Sequence, residues 1–138
     1  MPLLKGICVL VLGLAMLLVA RPMSVLASTP DPVLEWIGIM NDTVLAGGTN
    51  PLVTSRVVAL VSSSVFDAVN GIEERFQPIH VTVEAPRHAS ERAAAVQAAY
   101  AMLLKLYPAQ SDSLTMHREA SIAAITGEKP KSIAAGIA

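Results

Sequence analysis

The stretch NPLVTSRVVALVSSSVFDAVNG, residues 50–71, decides the fold class. Asn50 is a helix-capping residue, Pro51 suits a first helical turn, where its missing N–H has no partner to lose, and Gly71 offers a stop. Between them Val53, Val57, Leu60, Val61, Val65, Phe66 and Val69 recur at helical spacing and mark one apolar face. Many residues here are β-branched, so a buried strand around residues 56–61 is the competing local reading. The cap, the length of the periodic run and the glycine favour a long helix.

The same logic extends in both directions. Upstream, Asp31-Pro32 repeats the cap-and-proline start, and Val33, Leu34, Trp36, Ile37 and Met40 follow at helical spacing up to Gly47-Gly48. Downstream, residues 72–89 lose the pattern. There Pro78 and Pro86 flank the alternating Ile79-His80-Val81-Thr82-Val83, read as an ordered loop with at most one short extended segment. Ser90-Glu91 opens an alanine-rich helix with Val96, Tyr100, Leu103 and Tyr107 on one stripe, ending at Pro108. Its small residues Ala94, Ala95, Ala98, Ala99 and Ala101 allow a neighbouring helix to approach closely. Ser111 or Ser113 caps a fourth helix running to Ile125, with Gly127 as its stop, and residues 131–138 begin a fifth after Pro130. The expectation is an all-α partial bundle of four helices and the start of a fifth. That last segment is apolar to its final residue, which reads as a chain cut short and needing a partner surface; a short terminal helix docked on the bundle is the alternative.

The front of the chain reads as an address. Residues 1–27 carry Lys5, the apolar run from Ile7 to Ala20, then Arg21-Pro22 and the small-residue site Val25-Leu26-Ala27 before Ser28, the pattern of a secretory signal peptide. A membrane span needs about 20 apolar residues, so this run is short for an uncleaved anchor. The expected location is secreted or periplasmic, with no stable membrane span after cleavage. The full chain has 138 residues, 15 % of them charged, and a net charge of -1. Beyond residue 27 it keeps eight basic against eleven acidic side chains, a net of -3, which argues against nucleic acid as a partner. Cys8, the single cysteine, lies in the leader, so the remainder has no disulfide, no thiol nucleophile and no cysteine-ligated metal.

At Asp31 to Trp36, at Arg56 through Val65-Phe66-Asp67-Ala68-Val69-Asn70-Gly71-Ile72, and at Ser90 through Ala93-Ala94-Ala95 to Leu104 and Tyr107-Pro108, the chain resembles the amino-terminal helical region of secreted vanadium-dependent haloperoxidases. These share a superfamily with the type 2 phosphatidic acid phosphatases and bacterial acid phosphatases. The resemblance implies that complete relatives bind vanadate and oxidise halide with peroxide, or hydrolyse phosphomonoesters through a histidine nucleophile. It also implies a site in the carboxy-terminal half: a lysine with arginine-proline seven residues on, a serine-glycine-histidine, and an arginine with histidine six residues on. Clustered cations and donors of this kind hold an oxyanion. None of the three occurs here: Lys105 is followed at that distance by Asp112, no glycine precedes a histidine, and the position six after each arginine is Ala27, Ser62, Val81, Ala93, Ala98 or Ala124. The scaffold is expected without its catalytic half. No cofactor is expected on this chain, and its partner is a missing carboxy-terminal half or another subunit.

The remaining polar residues point to structure rather than chemistry. Asp67 and Asn70 stand near the end of the second helix, and a lone carboxylate without a companion at helical spacing is expected to bond backbone donors or an arginine. Glu73 and Glu74 are expected solvated in a loop beside Arg75. His80 and His88 flank the loop's turn signals, and with His117 they have no metal-ligand spacing. Ser62, Ser63, Ser64 and Ser90 lack a G-x-S-x-G turn and a nearby base, Gly47-Gly48 lacks the phosphate-loop pattern, and Trp36, Tyr100 and Tyr107 read as core anchors. No catalytic, cofactor or metal residue is assigned. Two other functions stay open: a self-sufficient exported helical binding module, and an intact enzyme using Asp67, His80 or His117.

Overall fold

The computed structural model describes residues 31–82 and 84–138. They form an all-α architecture without strands: α1 (Pro32–Ala46), α2 (Pro51–Glu73), α3 (Glu91–Leu106), a 3-10 turn (Pro108–Gln110), α4 (Ser111–Ala123) and α5 (Pro130–Ile137). The expected leader, residues 1–27, lies outside the described residues. The strand alternative at residues 56–61 gives way to helix, and the described part of the 79–83 stretch is loop.

Three helices start where their caps predict. The side chains of Asp31, Asn50 and Ser90 accept the N–H groups of Val33 (2.9 Å), Val53 (3.0 Å) and Ala93 (3.0 Å), each filling one of the four donors that a helix leaves unpaired at its start. The fourth start differs. Neither Ser111 nor Ser113 caps α4, because the 3-10 turn already winds the chain into the helix and puts Gln110 at the cap position without a side-chain cap bond. Gln110 instead donates its amide to the Thr43 carbonyl of α1 at 2.9 Å. This helix also ends at Ala123, short of Ile125, with Gly127 beyond it at φ 82°.

Gly71 does not stop α2. The helix passes through it and ends at Glu73, and the left-handed position falls on Glu74, at φ 52°. The cause is Asn70, whose side chain accepts the Phe76 N–H (2.9 Å) and donates to the Phe76 carbonyl (2.8 Å). That pair of hydrogen bonds folds the chain back after Glu73, and the turn is set by a side chain six residues away rather than by the glycine. Glu73 is therefore a helical, partly buried residue, not a solvated loop residue.

The core is organised around α3, against which α1, α2, α4 and α5 all pack. Its run of small side chains is the reason: Ala93, Ala94, Ala95 and Ala99 are buried and let neighbouring helices close in, while Val96 and Leu103 fill the centre with Trp36, Met40, Val57, Val61 and Leu114. At the opposite end Ala135 of α5 meets Ile72, Ala89 and Ala94, and the Ser90 N–H donates to the Ser132 carbonyl at 2.9 Å. Gly136 lies so near α3 that a Cβ there would strike the Ser90 carbonyl oxygen and crowd Ala93. Gly136→Ala is expected to lift α5 off the bundle, because overpacking against backbone costs about 1–3 kcal/mol and an eight-residue helix has little else to hold it. Faster tryptic cleavage after Lys131, with exchange protection of α3 unchanged, is the result that checks this.

Candidate functional site

Both α1 and α2 lean on α3 but barely on each other, and a cleft of about 370 Å³ opens between them. Ala95 and Ala99 of α3 form its floor, Trp36, Ile37 and Met40 one wall, and Val61, Val65, Phe66 and Val69 the other. One end is closed by Asn70, Glu73 and Phe76, whose ring stacks at a tilt on Phe66 with centroids 6.0 Å apart. Val33 and Ile37, which recur at helical spacing with Trp36 and Met40 in the sequence, are exposed at the cleft; the buried face is Trp36, Ile39, Met40, Thr43 and Val44. The cleft continues into further exposed apolar surface, including Leu34 (68 % exposed) on α1 and Leu52 (85 %) on α2. Although α2 is long and apolar enough to cross a membrane, only 17 % of its most apolar stretch is buried, so this helix has surface left to cover.

Several polar side chains on and beside α2 are committed to backbone. Asp67 is 5 % exposed and faces the other side of α2, where it accepts three consecutive N–H groups, from Ile79 (2.7 Å), His80 (2.8 Å) and Val81 (3.0 Å). Burial pushes its carboxyl upward, but the donors from Ile79, Val81 and His80, with the nearby His80 charge, outweigh that and hold it below its ordinary value. The ordered loop after α2 thus owes its shape to Asp67 and Asn70. Ser63 bonds the carbonyls of Ala59 and Leu60, Ser64 bonds that of Leu60, and Ser90 caps α3. Tyr107 meets the Thr49 hydroxyl at 2.9 Å, and Trp36 with Tyr100 forms an edge-to-face pair in the core.

Charge around the cleft has the wrong sign for an oxyanion. Among the described residues its one charged lining residue is Glu73, which pairs with Arg75 at 3.0 Å; Arg87 pairs with Glu74 at 3.1 Å, and Arg118 donates to Gln97 at 2.6 Å while lying over the Tyr100 ring. The carboxyl of Glu91, at the start of α3, is raised by burial and then by the neighbouring Glu73, with which it shares a hydrogen bond; Glu128 adds to this and Arg75 opposes it. These residues do not fit vanadate or phosphate, which need converging cations and donors. Among the described residues no three histidines, aspartates or glutamates converge on a point where a metal ion would sit. No family model, curated protein or solved structure matches the chain.

The cleft is the feature that periodicity missed. A helical stripe shows which residues are apolar, but it does not separate Val33 and Ile37, which are exposed, from Trp36 and Met40, which are buried. The one available signal was an excess: Val33, Leu34, Ile37 and Ile39 surround more of α1 than a single partner helix covers.

Proposed function

We propose that this chain is an exported helical scaffold that acts by packing rather than by chemistry, corresponding to the amino-terminal portion of a haloperoxidase-like or acid-phosphatase-like domain. The observation that carries the proposal is the open apolar cleft between α1 and α2, whose walls present Ile37, Val65, Phe66 and Val69, with Ser62, Asn70 and Glu73 as its polar lining among the described residues. An exposed apolar surface of this kind in a folded bundle is a receiving site for another apolar element. In the proposed assembly the oxyanion site belongs to a carboxy-terminal half with the lysine/arginine, serine-glycine-histidine and arginine/histidine motifs, and this chain supports it from behind. Co-expression with such a half is expected to give a one-to-one complex, lost on Ile37→Asp at the exposed rim of the cleft. A chain that stays monomeric beside that half overturns the assignment.

A second reading, a self-contained binding module, has its own support in α5, which seats its small residues on α3 instead of projecting them outward. The cleft is the working surface in both.

A further inference from the structure

We propose that the cleft between α1 and α2 binds a small amphiphilic amine, its aliphatic body lying along the apolar walls and its ammonium group at the end lined by Glu73, Phe66 and Phe76. This rests on the second reading, the self-contained binding module, and names the chemistry of its ligand.

The size and lining of the cleft set the body of that ligand. Its volume of about 370 Å³ falls in the range of small-molecule sites, about 300–1,000 Å³. The α2 wall runs from Val61 to Glu73, about 18 Å of helix, a length that suits an extended chain. Over most of it the lining is aliphatic or aromatic, and the exposed Ser62 stands at the Val61 end. A charge placed midway would be stranded against Val65 and Ala99. Only the Glu73 end suits a charged head.

Three observations set the sign of that head. Among the described residues Glu73 is the one charged side chain in the lining, so an anion beside it would be repelled and a cation attracted. Its present partner is a weak competitor: Arg75 approaches to 3.0 Å, yet the Arg75 side chain is 69 % exposed, and ion pairs open to water contribute little.

The second observation is the charge around Glu73. Glu91 shares a hydrogen bond with it, and the Glu91 carboxyl is raised first by burial and then by Glu73, with Glu128 adding to the effect and Arg75 opposing it. A visiting ammonium relieves that crowding of carboxylates. The third is aromatic. Phe66 and Phe76 line the cleft beside Glu73 with their centroids 6.0 Å apart, and aromatic ring faces attract an ammonium lying within about 6 Å of the ring centre. An anionic head gains from neither the carboxylate nor the rings.

The test uses three octyl compounds that differ only in their heads, octylammonium, octanol and octanoate, titrated into the full chain and followed through the methyl resonances of Ile37 and Val65. Octylammonium is expected to bind at least about tenfold more tightly than octanoate and several-fold more tightly than octanol, and added salt is expected to weaken octylammonium without weakening octanol. This comparison needs no variant. Glu73→Gln, which keeps the size of the side chain and removes its charge, is expected to bring octylammonium down to the level of octanol. Phe76→Leu, at a ring 66 % exposed and so dispensable for the core, is expected to lower the preference for octylammonium over octanol by about two- to fourfold. Equal binding of the three compounds, unchanged by Glu73→Gln, overturns the cationic head while the apolar cleft stands as a binding surface. Tightest binding by octanoate does the same. If none of the three shifts the methyl resonances up to its solubility limit, the ligand falls and the binding-module reading falls with it. Shifts that follow protein concentration with no octyl compound present assign the cleft to a second copy of the chain and overturn the ligand.

Discussion

Trp36→Ala is expected to destabilise the bundle by about 3–5 kcal/mol, the cost of deleting a buried aromatic side chain. Trp36 is 2 % exposed and does three things at once. Its ring fills the junction of α1 with α3, where it meets Tyr100 edge-to-face at 6.4 Å between centroids. Its Nε1–H donates to Ser121 Oγ on α4 at 3.1 Å, a link between positions 85 residues apart. That hydroxyl lies 2.9 Å from both Glu35 Oε1 and the His117 carbonyl, so the indole is one arm of a small network that ties α1 to α4. A domain of this length holds roughly 5–15 kcal/mol in total, so the substitution removes a large share. At roughly 4 °C per kcal/mol, the midpoint of thermal unfolding falls by about 12–20 °C. Trp36→Phe separates the contributions: it keeps most of the bulk and the aromatic contact, loses the N–H, and is expected to cost only about 1–2 kcal/mol. If the two variants unfold at the same temperature, the hydrogen bond and not the packing dominates.

How legible this fold was depended on whether the deciding contact was local. The starts of α1, α2 and α3 were readable because Asp31, Asn50 and Ser90 cap N–H groups two or three residues away. The end of α2 was not, since Gly71 carries the ordinary signature of a stop while the actual turn depends on Asn70 reaching Phe76 across a loop. The start of α4 failed for the converse reason: two serines with good capping chemistry stood where a 3-10 turn made a cap unnecessary. The role of Asp67 was half legible. Its isolation on the helix pointed to backbone donors, yet the particular three N–H groups belong to residues 12 to 14 positions later, and only the fold brings them together. The cleft needed still more, because it depends on α1 and α2 each packing on α3 while barely touching one another.

Asp67→Asn is expected to loosen the loop after α2 more than any surface change, and to do so in a pH-dependent way. One carboxylate oxygen receives Ile79 and the other receives both His80 and Val81. Asparagine offers a single acceptor oxygen, so at least one backbone N–H would face an amide N–H₂, and buried donors left without a partner are more costly than the bonds they replace. The amides of Ile79, His80 and Val81 should exchange with solvent like those of an open loop, and the unfolding midpoint at neutral pH should drop by several degrees. The pH signature follows from the lowered Asp67 pKa. A carboxyl whose folded pKa lies below its unfolded value contributes fully above the unfolded value, near 3.9, and loses that contribution as the pH falls through the folded one. The parent chain should therefore lose stability on acidification below about pH 4, whereas Asp67→Asn, having no proton to bind, should lack that part of the slope. The gap between the two curves closes toward low pH, where the protonated aspartic acid and the amide present the loop with the same mismatch of one acceptor and one donor. A gap that stays constant from pH 7 to pH 3 would mean that Asp67 holds the loop through shape alone, and that its charge contributes nothing to the three N–H groups it accepts.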